Sequence, residues 1–197
     1  MTGSNSDHFE MRRLESLSNT IFGVAMTLLA YDLPKAGFDN LPGWADLYRL
    51  YGGRLLGLVL SFIIAGIFWF SHQRRLSLQP YGSRIVVFGN LLFLLAIILL
   101  PTINKIYGND RLSSAAAALY GTHLTVIATF NAGLWWLINR DGRYRSEFIR
   151  SALPILVFLP GTLVALIAPE LAQYVWCIAF LAIFADRLFP SSPRNSS

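Results

Sequence analysis

The sequence predicts an all-α membrane protein with six transmembrane helices. Three observations predict this class: the chain is apolar, its apolar residues form six long runs, and its basic residues gather on alternate connectors. Of the 197 residues, 54% are hydrophobic and only 14% are charged, and the mean hydropathy is +0.50. A soluble domain carries about 25% charged residues. The composition therefore excludes a disordered chain and argues against a water-soluble one.

Six apolar runs approach the length of about 20 residues that a helix needs to cross a bilayer. They lack the period-two alternation of transmembrane β-strands. The fifth run contains Pro154 and Pro160-Gly161, which suggest an interruption, and Pro169-Glu170 joins it tightly to the sixth. We expect one domain over residues 1–189 and a disordered tail over 190–197. The runs are Leu14 to Leu33, Leu50 to Phe70, Ile85 to Ile103, Ala115 to Ile138, Ala152 to Ala168 and Leu171 to Ala185.

The basic residues predict the orientation, because cytoplasmic connectors of membrane proteins are enriched in Lys and Arg. Six spans place both termini on one side, and the connectors on that side carry the larger basic group: Arg12, Arg13, Arg74, Arg75, Arg84, Arg140, Arg143, Arg145, Arg150, Arg187 and Arg194. The opposite connectors carry Lys35, Arg49, Arg54, Lys105 and Arg111. We therefore expect cytoplasmic termini and a location in the inner (plasma) membrane.

The first predicted helix is unusual, because its start, from Arg12 to Thr20, is rich in polar residues. Polar groups are costly in hydrocarbon unless they find partners, so this helix is expected to face protein or water. Its apolar residues also follow a heptad-like spacing of four, three, four, three. This seam is either ordinary helix packing or the lining of a symmetry axis where several copies meet. It consists of Leu17, Ile21, Val24, Leu28 and Tyr31.

Three motifs resemble the transmembrane protein 175 family of endolysosomal potassium channels and their bacterial homologues. The stretch Arg13-Leu14-Glu15-Ser16-Leu17-Ser18-Asn19 is similar to the family's Arg-x-x-x-Phe-Ser-Asp signature, with Leu17 in place of Phe and Asn19 in place of Asp. Trp69-Phe70-Ser71-His72 resembles its Trp-x-x-His, and the run from Asn90 to Pro101 resembles its third helix.

The resemblance implies a homotetramer in which the first helix of each copy lines a central pore for K⁺. The chain, like the family, lacks a Thr-Val-Gly-Tyr-Gly filter. Apolar rings can gate by dewetting, and we expect Val24 and Leu28 to form the constriction. Thr27 would contribute oxygens that favour cations. The predicted lining is Ile21, Val24, Thr27, Leu28 and Tyr31.

Polar residues at the two ends of the first helix receive separate hypotheses. Asp32 either forms a carboxylate ring that concentrates cations at the outer mouth or simply ends the helix in solvent. At the inner end, hydrogen bonding by Arg and Asn side chains could anchor the helix. The predicted anchoring network is Arg13, Ser18, Asn19, Trp69 and His72.

Other classes of protein remain as alternatives. Pro154 and Pro160-Gly161 are a weak indication of a secondary transporter of a small cation, although we find no internal repeat. A membrane scaffold without transport is the second alternative. An enzyme is not expected, since the sequence lacks a Gly-rich phosphate loop, a Gly-x-Ser-x-Gly elbow and a metal-binding His or Cys cluster. We expect K⁺, lipid and three further copies as partners, with no cofactor, no metal and no nucleic acid.

Overall fold

The computed structural model describes residues 9–31, 43–79, 81–139 and 141–177. These residues form a bundle of long helices with one short β-pairing. The helices are α1 (Met11–Tyr31), α2 (Trp44–Leu47), α3 (Gly53–Leu78), α4 (Arg84–Asn109), α5 (Ser114–Ile138) and α6 (Arg145–Ile167), and residues 169–177 form the described part of α7. A π-helical turn, Tyr48–Gly52, leads from α2 into α3.

A long helix is present at each of the first five predicted runs, and the described part of α7 begins the sixth. The boundaries of α5 match the predicted run within one residue at its start. Several predictions concern residues outside the described ranges: Asp32, the ends of the first and sixth runs, the tail over 190–197, and the basic residues Lys35, Arg140, Arg187 and Arg194.

The second helix is longer than predicted. The apolar run stops at Phe70, but α3 continues for two further turns to Leu78 because no helix-breaking residue occurs before Pro80. The motif residue His72 and the predicted connector residues Arg74 and Arg75 therefore lie inside the helix. The expectation that Arg74 and Arg75 belong to a connector is wrong.

A two-residue antiparallel pairing fixes the start of α1 to the α3–α4 connector. Strand β1 (Phe9–Glu10) pairs with β2 (Tyr81–Gly82), with Phe9 opposite Gly82 and Glu10 opposite Tyr81. The first turn of α1 and the last turn of α3 therefore lie at the same end of the bundle. This arrangement places the two halves of the predicted anchoring network near each other.

Two helices within the described ranges, α4 and α6, are long and apolar enough to cross a membrane. A third span results if the bent pair of residues 44–52 and 57–78 is taken as one. Among the described helices, α1 and α5 do not meet this criterion. Six membrane crossings therefore remain a prediction.

The core lies where α4 packs against α1 and α5, and where α5 packs against α6. Aromatic rings fill much of it, including Phe22, Phe68, Phe93, Tyr120 and Trp135. Helix α6 is continuous across Pro154 and Pro160, so the interruption suggested by the sequence is absent.

Gly161 has a packing role at the contact between α6 and α7. The indole of Trp176 lies where a Cβ on Gly161 would stand, and it also lies against Gly121 of α5. Trp176 is completely buried and is stacked edge-on to Tyr120, with ring centroids 5.3 Å apart. The two glycines thus permit a close approach of three helices, as small residues commonly do in membrane bundles.

Candidate functional site

Helix α1 has one face in the core and one face that no described part of the chain covers. The buried face carries Leu14, Ser18, Phe22, Ala25 and Leu29, each separated from the next by three or four residues. The uncovered face carries most of the predicted seam, with exposed fractions of 44% for Leu17, 44% for Val24, 43% for Leu28 and 70% for Tyr31. Ile21 lies at the edge of this face and packs partly against the core.

Two threonines share the uncovered face of α1 and present oxygen atoms on it. The hydroxyl of Thr27 donates to the carbonyl of Gly23 at 2.8 Å, and that of Thr20 donates to the carbonyl of Ser16 at 3.1 Å. A hydroxyl that has donated its proton keeps its lone pairs as acceptors. The exposed side of α1 therefore combines apolar side chains with oxygens that can attract a cation.

The polar start of α1 is tied to α3 through Asn19. The side-chain oxygen of Asn19 accepts a 2.9 Å hydrogen bond from Trp69 Nε1 and a second from Gln73 Nε2. Trp69 and Gln73 are four residues apart and so lie on one face of α3. This contact joins two of the predicted anchoring residues directly.

His72 belongs to a different, buried cluster centred on Arg75. The Arg75 guanidinium lies 2.6 Å from His72 Nδ1 and 2.7 Å from Asn90 Oδ1 on α4, and it reaches Asn131 Oδ1 on α5 at 3.3 Å. Because arginine only donates hydrogen bonds, His72 Nδ1 accepts and the imidazole proton lies on Nε2. Arg75 is only 1% exposed, and no carboxylate among the described residues is paired with it.

Further hydrogen bonds connect this cluster to Ser71 on α3 and Trp135 on α5. Ser71 Oγ bonds to Asn131 at 3.2 Å and accepts from the indole nitrogen of Trp135 at 3.0 Å. The Arg75 charge is thus stabilised by neutral oxygens held on α4 and α5. Removing such an acceptor from a buried charge is costly.

Phe22 connects the buried cluster to α1 by aromatic contact. Its ring centroid lies 5.9 Å from that of His72, and His72 in turn stacks on Phe93 at 5.5 Å. Phe22 is only 1% exposed. The orientation of α1 is therefore coupled to the cluster through packing, while Asn19 supplies the hydrogen bonds.

The predicted anchoring residues consequently divide into separate groups. Asn19 and Trp69 are in contact, whereas His72 is in the Arg75 cluster. Ser18 is buried but bonds its own helix, with Oγ donating to the carbonyl of Leu14 at 2.6 Å. Arg13 is exposed and makes no hydrogen bond or ion pair within the described ranges.

Sequence reasoning missed Arg75 as the centre of a buried cluster, because its neighbours Arg74 and Gln73 gave it the appearance of a connector residue. A usable signal was present in Asn90 and Asn131, which are polar residues within otherwise apolar runs. Such residues inside a membrane helix are expected to have protein partners. In the described part of the chain, no group of three His, Cys, Asp or Glu residues is placed to hold a metal.

Comparison with known proteins identifies relatives of this fold and these motifs. The sequence profile of the family "Endosomal/lysosomal potassium channel TMEM175" matches residues 13–101. A potassium channel of Streptomyces collinus is 31% identical over 140 residues, covering 68% of this chain and 66% of that one. The chain thus spans about two thirds of that relative. A potassium channel of a Chryseobacterium species is 25% identical over 192 residues, covering 93% of this chain and 98% of that one.

A solved structure has the same fold. The crystal structure of a lysosomal potassium-selective channel TMEM175 homolog from Chamaesiphon minutus matches with a TM-score of 0.73 at 18% identity, covering 92% of this chain and 98% of that chain. Profile, relatives and fold together place the chain in a class of helical membrane proteins whose named members are ion channels. Within this class, the chain belongs to the TMEM175 potassium-channel family.

Proposed function

We propose that four copies of the chain form a potassium-permeable channel with α1 of each copy facing a central pore. The observation that best supports this proposal is the uncovered face of α1. It bears Thr20 and Thr27 among apolar side chains, and polar groups in membrane helices face protein or a water-filled cavity. A pore shared by several copies provides both environments, neighbouring protein and water.

The constriction is assigned to Val24 and Leu28, which lie four residues apart in the middle of the uncovered face. Rings of such side chains create a barrier that opens and closes by wetting and dewetting. Thr27 lies beside them with acceptor lone pairs available and is assigned to cation preference. Ile21 is partly covered by the core and borders the ring. No Thr-Val-Gly-Tyr-Gly filter is present in the sequence.

The outer mouth is assigned to Tyr31 and to Asp32, the residue that follows the described end of α1. A carboxylate ring there attracts K⁺ toward the constriction. Asn19, Trp69 and the Arg75 cluster hold the inner half of α1 in place. We place both termini in the cytoplasm and the channel in the plasma membrane, on the basis of the Lys and Arg distribution. The partners are then K⁺, lipid and three identical chains.

Planar-bilayer recording of the purified protein under a K⁺/Na⁺ gradient tests the function. A K⁺-preferring channel gives discrete current steps whose reversal potential shifts toward the K⁺ equilibrium potential. A steady, saturating flux without unitary steps contradicts the proposal and indicates a transporter. Helix α6 is continuous across Pro154 and Pro160, and this supports a channel over a transporter with a broken helix.

Native mass spectrometry tests the tetramer independently of current. The expected species has four times the 22.0 kDa mass of the chain. A protein that remains monomeric in mild detergent and in lipid nanodiscs contradicts the shared pore.

A further inference from the structure

Three basic residues assigned to the outer side by the sequence line one pocket. The pocket lies at the bundle end opposite to the Arg75 cluster, between the first turn of α3 and the last turns of α4. Arg54 contributes from α3, and Lys105 and Arg111 contribute from α4 and the residues just after it. Helix-end electrostatics favour cations after α4, but they do not account for Arg54, which comes from the start of another helix.

The wall of the pocket contains no Asp or Glu among the described residues. Asp110 precedes Arg111 in the chain but does not line the pocket, and its carboxylate accepts a 3.2 Å hydrogen bond from the backbone of Ser113. Arg54 and Arg111 therefore line one small pocket, and the described part of its lining contains no carboxylate. Guanidinium groups pair well with phosphate oxygens.

A neutral donor is added to this pocket by Asn104. Its side-chain oxygen accepts a 2.7 Å hydrogen bond from Ser61 Oγ, and Ser61 is also within 2.8 Å of the Tyr120 hydroxyl. With the oxygen occupied, the remaining functional group of Asn104 is its NH₂ donor. The lining residue Tyr107 is held in place, because its ring stacks on Tyr120 with ring centroids 4.9 Å apart. The pocket lining thus combines an amide donor, whose oxygen is already occupied, with the basic side chains.

The size of the pocket limits what can enter. Its cavity volume is about 30 Å³, whereas a single water needs roughly 10–15 Å³. One or two oxygens of a phosphate group fit inside, while the remainder of a larger ligand would stay outside. The helix ends around the pocket place it at the level of lipid headgroups if α3 and α4 cross the bilayer.

We propose that this pocket binds a phosphate group through Arg54, Arg111 and Asn104. The phosphate can belong to an anionic lipid headgroup or to a free phosphate ion, since both offer the same oxygens. Leu29 of α1 forms part of the wall. A bound phosphate therefore contacts the end of the helix assigned to the pore, and its occupancy stabilises that end.

Thermal unfolding of the full chain in a phosphate-free maltoside detergent tests this site with two probes. The first probe is phosphatidylglycerol, compared with diacylglycerol of the same acyl chains, and the second is inorganic phosphate, compared with chloride at equal ionic strength. We expect saturable stabilisation by phosphatidylglycerol but not by diacylglycerol. Stabilisation by inorganic phosphate as well supports the site and shows that a free ion suffices.

The double substitution Arg54→Gln and Arg111→Gln is expected to weaken the apparent affinity about tenfold or more, because charge-assisted hydrogen bonds are lost. The control is Arg12→Gln with Arg143→Gln, which removes the same charge from exposed positions elsewhere. Should the double variant fail to fold, Arg111→Gln alone is compared with Arg111→Lys. Equal stabilisation of the native protein and the pocket variants, or none by either probe, overturns the proposal.

Discussion

Trp69 Nε1 donates a 2.9 Å hydrogen bond to the side-chain oxygen of Asn19, and this contact joins the start of α1 to α3. Gln73 donates to the same oxygen. Because both neighbours are donors, position 19 requires an acceptor and makes no use of the amide NH₂ in these two contacts. The same geometry accepts a carboxylate, which is the group that the motif of the TMEM175 family has at this position.

Asn19→Asp is therefore expected to retain or raise stability, since hydrogen bonds to a charged acceptor are stronger. Asn19→Leu is expected to lower the free energy of unfolding by about 1 kcal/mol, because it removes an ordinary hydrogen-bond acceptor at an exposed site. Thermal unfolding in detergent measures both changes. If Asp and Leu have equal effects, hydrogen bonding at position 19 does not anchor α1.

Val24→Ala and Leu28→Ala are expected to raise unitary conductance, since smaller side chains widen an apolar constriction and ease its wetting. A barrier lowered by about 1.4 kcal/mol corresponds to a tenfold faster flux, and we expect an increase between about twofold and tenfold. Thr27→Ala is expected to change the reversal potential under a K⁺/Na⁺ gradient.

Leu156→Ala is the matched control for these pore substitutions, because Leu156 is an exposed apolar residue on α6. Single-channel recordings of this variant are expected to match those of the native protein. Unchanged currents in all three α1 variants would show that α1 does not line the pore.

Asn90→Leu is expected to destabilise the protein by about 1.5–3 kcal/mol, because Arg75 loses its 2.7 Å acceptor while its charge stays buried. The apparent melting temperature should fall by about 5 °C or more for a chain of this length. Thr102→Val, at an exposed position on the same helix, serves as the control. A double variant that also replaces Arg75 with Met should recover part of the loss, since it removes the unpaired charge.

Gly161→Ala is expected to destabilise the protein by about 1–3 kcal/mol, because the added methyl group overlaps with the indole of Trp176. Gly133→Ala is the control, since a Cβ at Gly133 meets no atom within 4 Å. There, the alanine should be neutral or stabilising by about 0.5–1 kcal/mol through helix propensity. Equal effects at both positions would contradict the close contact between α6 and α7.

Several features of the fold follow from local sequence alone. The start of α5 is predicted within one residue, because a long apolar run begins at Ala115. The structure shows in addition that Ser113 caps the helix by accepting from the Ala116 amide. The end of α3 is predicted too early, because the polar residues after Phe70 resemble a connector. They remain helical because the tertiary structure gives Ser71, His72 and Arg75 buried partners.

The part of the candidate site that depends on spacing within one helix could also be predicted from the sequence. The heptad-like seam of α1 identifies one helix face, and Leu17, Val24 and Leu28 indeed lie together on the face that the described chain leaves uncovered. The anchoring network was assembled from residues expected at one end of the bundle. Such proximity does not determine bonding: His72 faces Arg75, whereas Trp69 faces Asn19.

The sequence by itself determined the apolar helical character, the approximate helix positions and the seam of α1, since these depend on composition and on spacing within a single segment. The tertiary structure alone decided that Arg75 is buried among amide oxygens and that Arg54, Arg111 and Asn104 line one pocket. Those contacts depend on the rotation and tilt of each helix against its neighbours, which packing of the whole bundle sets.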